Sequence, residues 1–190
     1  MDQAIKDHEL IRRTLAGETD QFALLVRRYD KIVFSLALRL SGNRTDAEDL
    51  TQESFLRAYK ALHRFDLSKP FKPWILKIAS NLTINRLKEA KTASLEALSP
   101  SEDQTYEIPD QNFSPEKLVQ TRELETRLQA EILRLPPKYR LAFTLRYLED
   151  HSVEEISQIT DVPVNTVKIH LFRAREFLKD KLKDVYGPSC

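Results

Sequence analysis

The sequence predicts an all-α protein made of two small helical domains joined by a flexible acidic linker. Only three of its 190 residues are glycine and 41% are hydrophobic, which supports packed cores. Apolar side chains recur at helical spacing in both halves. Residues 1–91 hold 17 Lys and Arg against 12 Asp and Glu, residues 92–115 hold none against five, and residues 116–190 hold 13 against 12. We therefore predict folded domains at 1–91 and 116–190 and a linker at 92–115.

The N-terminal domain opens with a predicted amphipathic helix that ends at Gly42. Its apolar stripe consists of Phe22, Leu25, Val26, Tyr29, Val33, Leu36 and Leu40. Thr45 and Glu48 have the spacing of a capping box, which predicts a second helix over residues 46 to about 62. The first half of that helix carries an acidic patch with no Lys or Arg among its residues: Asp46, Glu48, Asp49, Gln52 and Glu53. Acids favour a helix N-terminus, and this patch also suits a basic partner protein.

The stretch from residue 57 to residue 91 is instead basic, with nine Lys and Arg against two Asp and Glu. A helix is predicted over residues 71 to about 90, because Pro70 and Pro73 are tolerated only around a first turn. Four aromatic residues lie among these basic residues: Tyr59, Phe65, Phe71 and Trp74. Aromatic rings stack on exposed bases and amides such as Asn81 and Asn85 read base edges, so the stretch suits single-stranded nucleic acid. For Trp74, a place in the core is an equal alternative.

The predicted linker contains Pro100, Pro109 and Pro115 and no sustained apolar period. Ser114 is expected to cap the next helix, with Pro115 as its first residue. A relaxed linker of this length spans roughly 27 Å and an extended one about 80 Å. Because two turns of DNA span about 70 Å, the two domains can reach sites that far apart only if the connector is nearly stretched.

The C-terminal domain has the outline of a helix-turn-helix at residues 152–175. Ser152 and Glu155 form a capping box that predicts a helix from Val153, and Pro163 ends it. A second helix is predicted from Val164, with Val167, Leu171, Ala174 and Leu178 facing inward. Its start and outer side hold Asn165, Thr166, Lys168, Ile169, His170, Arg173 and Arg175. Such a helix fits a major groove of DNA.

The alternative to DNA binding is a surface helical hairpin whose Lys and Arg side chains only keep it soluble. Residues 163–183 hold six bases against two acids. Because this surplus coincides with a capping box and a proline-set turn, DNA binding is favoured.

Composition excludes several other classes of function. No stretch approaches the ~20 apolar residues of a membrane span and the N-terminus lacks the apolar core of a signal peptide, so we expect a cytoplasmic protein without membrane insertion. The single cysteine, Cys190, can form no internal disulfide. No GxGxxG or P-loop motif occurs, and the histidines have no metal-ligand spacing: His8, His63, His151 and His170. We expect no catalytic residue, no cofactor and no metal.

Four stretches follow one another in a distinctive order: TDAEDLTQESFLRAYKAL, HRF, FKPWILKIASNLTINRL and LPPKYRLAFTLRYLEDHSVEEISQITDVPVNTVKIHLFRARE. This order resembles the extracytoplasmic-function sigma factors of bacterial RNA polymerase, over nearly the whole chain. The resemblance implies that residues 1–91 are sigma region 2, which binds core polymerase and opens the −10 element. It implies that residues 116–190 are sigma region 4, which reads the −35 element. The implied partners are core polymerase through its β′ clamp helices and β subunit, promoter DNA, and an anti-sigma factor, in a response to envelope or other stress.

The resemblance also implies roles for individual residues. The clamp helices would contact Asp46, Glu48, Asp49, Gln52 and Glu53. A flipped base of the −10 element would lie among Arg64, Phe65, Asn81 and Asn85, with Lys77 and Arg86 on phosphates and Trp74 bracing the helix. The −35 groove would meet Lys168, Arg173 and Arg175, with Thr166 and His170 near backbone or base edges. Pro73, Asp161, Asn165 and Ile169 depart from the family pattern, so the base preferences are expected to differ.

Two other classes of protein remain as alternatives. One is a stand-alone regulator that uses the helix-turn-helix and has a sensor or dimerisation module at residues 1–91. The other is an interaction protein that sequesters polymerase without opening DNA. For a sigma factor with this linker, we expect core polymerase to set the distance between the domains and free protein to bind promoters weakly.

Overall fold

The computed structural model describes the backbone of residues 2–96 and 115–186 and the side chains of residues 6–90 and 125–183. Within these ranges all regular structure is helical, which confirms the all-α prediction. The elements are α1 (Asp2–Leu15), α2 (Asp20–Ser41), α3 (Arg44–Ala61), a 3-10 turn (Leu62–Arg64), α4 (Phe71–Glu96), α5 (Pro115–Arg134), α6 (Pro137–Phe143), a π-helical turn (Thr144–Leu148), α7 (Val153–Thr160) and α8 (Val164–Tyr186).

Helices α1 to α4 form the N-terminal bundle, in which α2 packs against α1, α3 and α4. The predicted stripe of α2 is buried, apart from the half-buried Val26. Gly42 ends α2 as predicted, with a left-handed φ of 73° that glycine adopts without steric cost. Helix α4 starts at Phe71 as predicted, with Pro73 in its first turn, and continues six residues past the predicted end at Ala90.

The predicted capping box of Thr45 and Glu48 is wrong. Asn43 is the N-cap of α3, and its Oδ1 accepts a hydrogen bond from the Asp46 amide at 3.0 Å. Its extended backbone (φ −135°) precedes the first helical residue, whereas Thr45 lies inside the helix. Asn caps a helix at least as well as Thr, so the helix starts two residues before the prediction. Glu48 forms an ion pair with Arg44 instead, with Nε and Oε1 2.9 Å apart.

Helix α1 was not predicted from the sequence. It is anchored by Ile11, which is fully buried, and by the Asp7 carboxylate, which accepts hydrogen bonds from the Tyr29 hydroxyl and the Arg28 guanidinium of α2. Burial and the hydrogen bond to Asp7 raise the pKa of Tyr29, so its hydroxyl remains a donor.

The helix-turn-helix forms as predicted. The Ser152 amide donates to Glu155 Oε2 at 2.8 Å and the Glu155 amide donates to Ser152 Oγ at 3.1 Å, which completes the capping box. Ile156 and Ile159 of α7 pack against Val167 and Leu171 of α8 in one core, and Ala174 and Leu178 are buried beyond them. Helix α5 begins at Pro115 as predicted, and the proposed Ser114 cap lies outside the described residues.

The two domains pack directly against each other. Helix α7 lies on α4, and a continuous apolar core joins Phe71 and Ile75 of α4 to Ile156 and Ile159 of α7. Polar contacts cross the same interface at both ends, and these position the helix-turn-helix over the start of α4. They are Arg140 Nη1 to the Leu40 carbonyl at 2.6 Å, Glu149 Oε1 to Ser35 Oγ at 3.0 Å and to Arg39 Nε at 3.1 Å, and Lys77 Nζ to Asp161 Oδ2 at 3.0 Å.

Candidate nucleic-acid and polymerase interfaces

A cleft of about 560 Å³ opens where the 3-10 turn, the loop after it and the first turns of α4 meet. We call it the base cleft. Its lining from the N-terminal domain is Arg64, Phe65, Asp66, Ser68, Lys69, Pro70, Pro73, Trp74 and Lys77, and Gln158 and Asp161 complete it from the C-terminal domain. Four residues predicted for the −10 site therefore meet in one place: Arg64, Phe65, Trp74 and Lys77.

Three aromatic rings pack together at the base cleft, where Phe65 and Trp74 line it and the buried Phe71 contacts both of them. The ring centroids of Phe65 and Trp74 lie 5.0 Å apart, and Phe71 lies 5.8 Å from Phe65 and 5.5 Å from Trp74. Phe71 is fully buried and Phe65 is 9% exposed, whereas Trp74 is half-buried. Trp74 therefore packs on the core and also lines the cleft, and its role toward DNA stays a prediction. Each such ring pair contributes about 0.5–1.5 kcal/mol beyond area burial.

The loop at residues 65–70 forms one wall of the base cleft and is held by short-range hydrogen bonds. Asp66 Oδ1 accepts from the Ser68 amide at 2.9 Å and from the Ser68 hydroxyl at 2.7 Å. These bonds lower the pKa of Asp66. From α1, His8 Nε2 lies 2.9 Å from the Lys69 carbonyl oxygen, and its ring lies 6.2 Å from that of Phe65. Sequence reasoning missed Ser68, Lys69 and His8, whose roles depend on loop geometry.

Asn81, Asn85 and Arg86 are exposed on α4, outside the lining of the base cleft. Asn85 and Arg86 line a second cleft of about 650 Å³ between α3 and α4. The α3 side of that cleft includes Asp49, Gln52 and Glu53. The structure thus places two residues that were predicted to contact DNA beside three that were predicted to contact polymerase, and not beside Phe65.

The acidic patch lies along the outer side of α3. Asp46, Glu48, Asp49 and Gln52 are exposed, and Glu53 is half-buried. Glu53 Oε1 lies 2.6 Å from Arg57 Nε, one turn along the helix. No ion pair described on α3 involves Asp46, Asp49 or Gln52. Their side chains can therefore contact a basic surface directly.

The outer side of α8 combines bases with apolar side chains. Lys168, Arg173 and Arg175 are exposed as predicted, and Thr166 is half-buried. Phe172 is 50% exposed and Ile169 is 57% exposed on the same side. Sequence reasoning did not single out Phe172, although its position three residues after Ile169 is a signal that could have found it.

His170 faces α6 rather than the open side of α8. Its ring centroid lies 5.5 Å from that of Tyr139. Burial, with Lys138 as a second cause, lowers the pKa of His170 and keeps the ring neutral at neutral pH. The position predicted to approach DNA is therefore half-buried and packed against the protein.

Within residues 2–96 and 115–186, no helix is long and apolar enough to cross a membrane. The same part of the chain holds no group of three or more His, Cys, Asp or Glu side chains arranged to bind a metal ion.

Comparison with known families defines the class of protein. Residues 25–92 match the family model for sigma-70 region 2 and residues 125–178 match the model for sigma-70, region 4. The ECF RNA polymerase sigma factor SigW of Bacillus subtilis strain 168 is 36% identical over 193 residues, covering 97% of this chain and all of that one. The ECF RNA polymerase sigma-E factor of Escherichia coli K12 is 34% identical over 189 residues, covering 96% and 97%. The chain belongs to the extracytoplasmic-function sigma factors, which direct RNA polymerase to specific promoters.

Two solved structures share the fold. CnrH, in complex with the cytosolic domain of CnrY, matches with a TM-score of 0.65 at 22% identity, over 94% of this chain and 98% of that one. The sigma factor RpoE of Bartonella quintana, in complex with the anti-sigma factor NepR, matches with a TM-score of 0.67 at 20% identity, over 85% and 96%. The family resemblance inferred from the sequence is confirmed.

Proposed function

We propose that residues 1–91 dock on core polymerase and open the −10 element, while residues 116–190 read the −35 element across the linker at 92–115. The chain then acts as a non-catalytic, cytoplasmic initiation factor in a response to envelope or other stress. The observation that carries this proposal is the base cleft, in which the basic side chains of Arg64 and Lys77 lie beside the rings of Phe65 and Trp74.

At the −10 element, the base cleft captures one flipped base of the non-template strand. Extruding a base costs a few kcal/mol, which aromatic and polar contacts in the pocket repay. Arg64 is exposed and Lys77 is half-buried at the rim, where cations attract the neighbouring phosphates. Asn81, Asn85 and Arg86 continue along exposed positions of α4 and guide the strand away from the cleft.

At the −35 element, α8 enters the major groove. Lys168, Arg173 and Arg175 contact phosphates or the acceptor atoms of guanine, for which arginine offers two parallel donors. Thr166, half-buried near the start of α8, approaches the DNA backbone, whereas His170 packs on Tyr139 of α6 and supports α8 from the protein side. Ile169 and Phe172 add exposed apolar area, which suits the methyl group of thymine.

The acidic patch on α3 is the proposed contact with the basic clamp helices of the β′ subunit. None of its residues lines the base cleft, so one domain can hold polymerase and DNA together. Because both solved relatives described above were determined in complexes, we also propose that an anti-sigma factor binds this chain.

A run-off transcription assay with core polymerase tests the proposal. Core polymerase that lacks a sigma factor should start transcription at specific promoters only when this chain is added. Binding to DNA without core, with no transcription, would instead identify a stand-alone regulator. Binding to core without opening of DNA would identify a sequestering protein.

A further inference from the structure

None of the residues that line the base cleft belongs to α1, yet α1 is connected to the rings of the cleft by a chain of buried contacts. The Asp7 carboxylate of α1 accepts a hydrogen bond from the Tyr29 hydroxyl of α2. The Tyr29 ring packs on Phe71, with the ring centroids 5.4 Å apart. Phe71 in turn contacts Phe65 and Trp74, which both line the cleft. We infer that Asp7 and Tyr29 are positioning residues for the −10 base, because they fix Phe71 and, through it, the rings that line the cleft.

The hydrogen bond to Asp7 fixes the orientation of the Tyr29 ring. Asp7 is 2% exposed and Tyr29 is 7% exposed, so the pair is shielded from bulk water. The Arg28 guanidinium also donates to Asp7 and balances its charge. Burial, then the hydrogen bond to Asp7, raises the pKa of Tyr29, which keeps the hydroxyl protonated as a donor. A buried hydroxyl without an acceptor is costly, so the ring keeps the orientation in which its hydroxyl reaches Asp7.

Phe71 transmits the position of Tyr29 to the cleft because both residues belong to one buried core. The Phe71 side chain is fully buried, and its ring lies 5.8 Å from that of Phe65 and 5.5 Å from that of Trp74. Protein interiors are close-packed, so a shift of one ring displaces the next. A base that stacks in the cleft depends on these rings, because a binding site must be held within about 0.5 Å and 10–20° of its productive geometry. A loosened Tyr29 ring therefore weakens selection of the base as well as the stability of the bundle.

Helix α1 also contacts the same rings directly, through the residue that follows Asp7. The ring of His8 lies 6.2 Å from that of Phe65, and its Nε2 lies 2.9 Å from the Lys69 carbonyl oxygen. Successive residues of a helix point about 100° apart, so Asp7 and His8 reach different parts of one aromatic cluster. Asp7 acts through Tyr29, whereas His8 acts on Phe65 and its loop. The inference rests on the proposed use of the base cleft and adds residues of α1 and α2 to its machinery.

The decisive variant is Tyr29→Phe in the full chain with core polymerase, because it keeps the ring and removes only the hydroxyl. The probes are a promoter from which the wild-type holoenzyme makes run-off transcripts and versions of that promoter with one −10 base pair replaced. We expect the ratio of transcripts from the promoter to transcripts from its variants to fall roughly two- to tenfold, the range that corresponds to one hydrogen bond. A smaller amount of folded protein lowers both transcripts equally, so a purely structural role leaves this ratio unchanged.

Trp74 is the only tryptophan of the chain, so its fluorescence reports the rings of the cleft directly. In Tyr29→Phe its emission should move to longer wavelength and acrylamide should quench it faster, because the rings are held less tightly. Asp7→Asn keeps an oxygen acceptor, although an uncharged and weaker one, and should change both readouts less. The matched control is Tyr59→Phe, the same change in the same bundle on a ring that packs on Phe22 and is 41% exposed. This control should behave as wild type in both readouts.

An unchanged transcript ratio in Tyr29→Phe, or Trp74 emission equal to that of Tyr59→Phe, would overturn the inference. Asp7 and Tyr29 would then only stabilise the bundle. Failure of the wild-type holoenzyme to start transcription would instead count against the proposed function, and the Trp74 emission of the free chain would still test the link from Tyr29 to the cleft.

Discussion

His8 lies outside the region that matches the sigma-70 models and yet reaches the base cleft. Its neighbour Asp7 fixes α1 to Tyr29 and Arg28 of α2, so the histidine projects from a fixed helix toward the loop at residues 65–70. The bond to the Lys69 carbonyl holds one wall of the cleft from outside.

Replacing His8 by alanine should loosen this wall and weaken discrimination at the −10 element. A lost hydrogen bond of about 0.5–1.5 kcal/mol corresponds to a roughly two- to tenfold change in preference. The measurement is transcription by the holoenzyme from promoters that differ in one −10 base pair. His8→Gln retains a side-chain donor and should recover much of the preference. Equal discrimination by His8→Ala and wild type would show that His8 does not support the wall of the cleft.

Arg173 is the exposed arginine best suited to read the −35 groove, because it lies one turn after Ile169 on the outer side of α8. Arg173→Ala should cost ~1–3 kcal/mol of binding if the guanidinium contacts a guanine. The effect should be confined to one base-pair position when −35 variants are compared by holoenzyme binding. Lys179→Ala, further along α8, should weaken binding equally for all sequences or not at all. An unchanged −35 preference for Arg173→Ala would exclude this role.

At the level of the elements, local signals were sufficient at the end of α2 and at the starts of α4 and α7. The predictions at Gly42 and Pro73 are correct because backbone geometry limits what each residue can do. The prediction at Ser152 and Glu155 is correct because their side chains reach backbone amides within one turn. Helix α1 was missed because two of its buried positions, Asp7 and Thr14, are polar and interrupt the apolar stripe around Ile11. Its burial depends on partners in α2, which no local pattern reveals.

The start of α3 shows how two good caps compete. Asn43→Ala should destabilise the chain by about 1 kcal/mol, because the Asp46 amide loses its acceptor. Thr45→Ala, inside the helix, should have little effect. Urea denaturation of both variants measures the difference. A larger loss for Thr45→Ala would restore the capping box that the sequence suggested.

At the scale of the whole molecule, the base cleft could be predicted only in part. Residues 64–77 are close in sequence, so Arg64, Phe65, Trp74 and Lys77 were grouped correctly. Gln158 and Asp161 could not be placed there, because their position depends on how the second domain packs on the first. The separation of Asn85 from the cleft likewise follows from the rise of α4, which carries this residue toward α3.

The interface between the domains also predicts a pH dependence. His151 is 5% exposed and its neighbours include Lys72 of α4, Glu149 and Glu155. Burial, then Lys72, lowers its pKa below the ordinary value of 6.5, although both glutamates act in the opposite direction. The folded chain therefore resists protonation at His151, whereas the unfolded chain accepts a proton at the ordinary value. The stability contributed by neutral His151 is complete above pH 6.5 and is lost as the pH falls below it.

Urea denaturation over a pH series should show this loss as a falling free energy of unfolding below about pH 6.5. His151→Gln should flatten part of the slope, while His170, whose pKa is also lowered by burial, supplies another part. The readout is the slope, so an overall loss of stability in the variant does not affect the test. An identical slope for His151→Gln and wild type would contradict the assignment.

We propose that the chain opens promoters by holding a −10 base in the base cleft once core polymerase is bound. Permanganate reactivity of −10 thymines tests it most directly, because only unpaired thymines react. We expect strong reactivity with the wild-type holoenzyme, none with the free chain, and a large loss for Lys77→Ala combined with Arg64→Ala at unchanged binding to core. Undiminished reactivity with that double variant, or opening by the free chain alone, would contradict it.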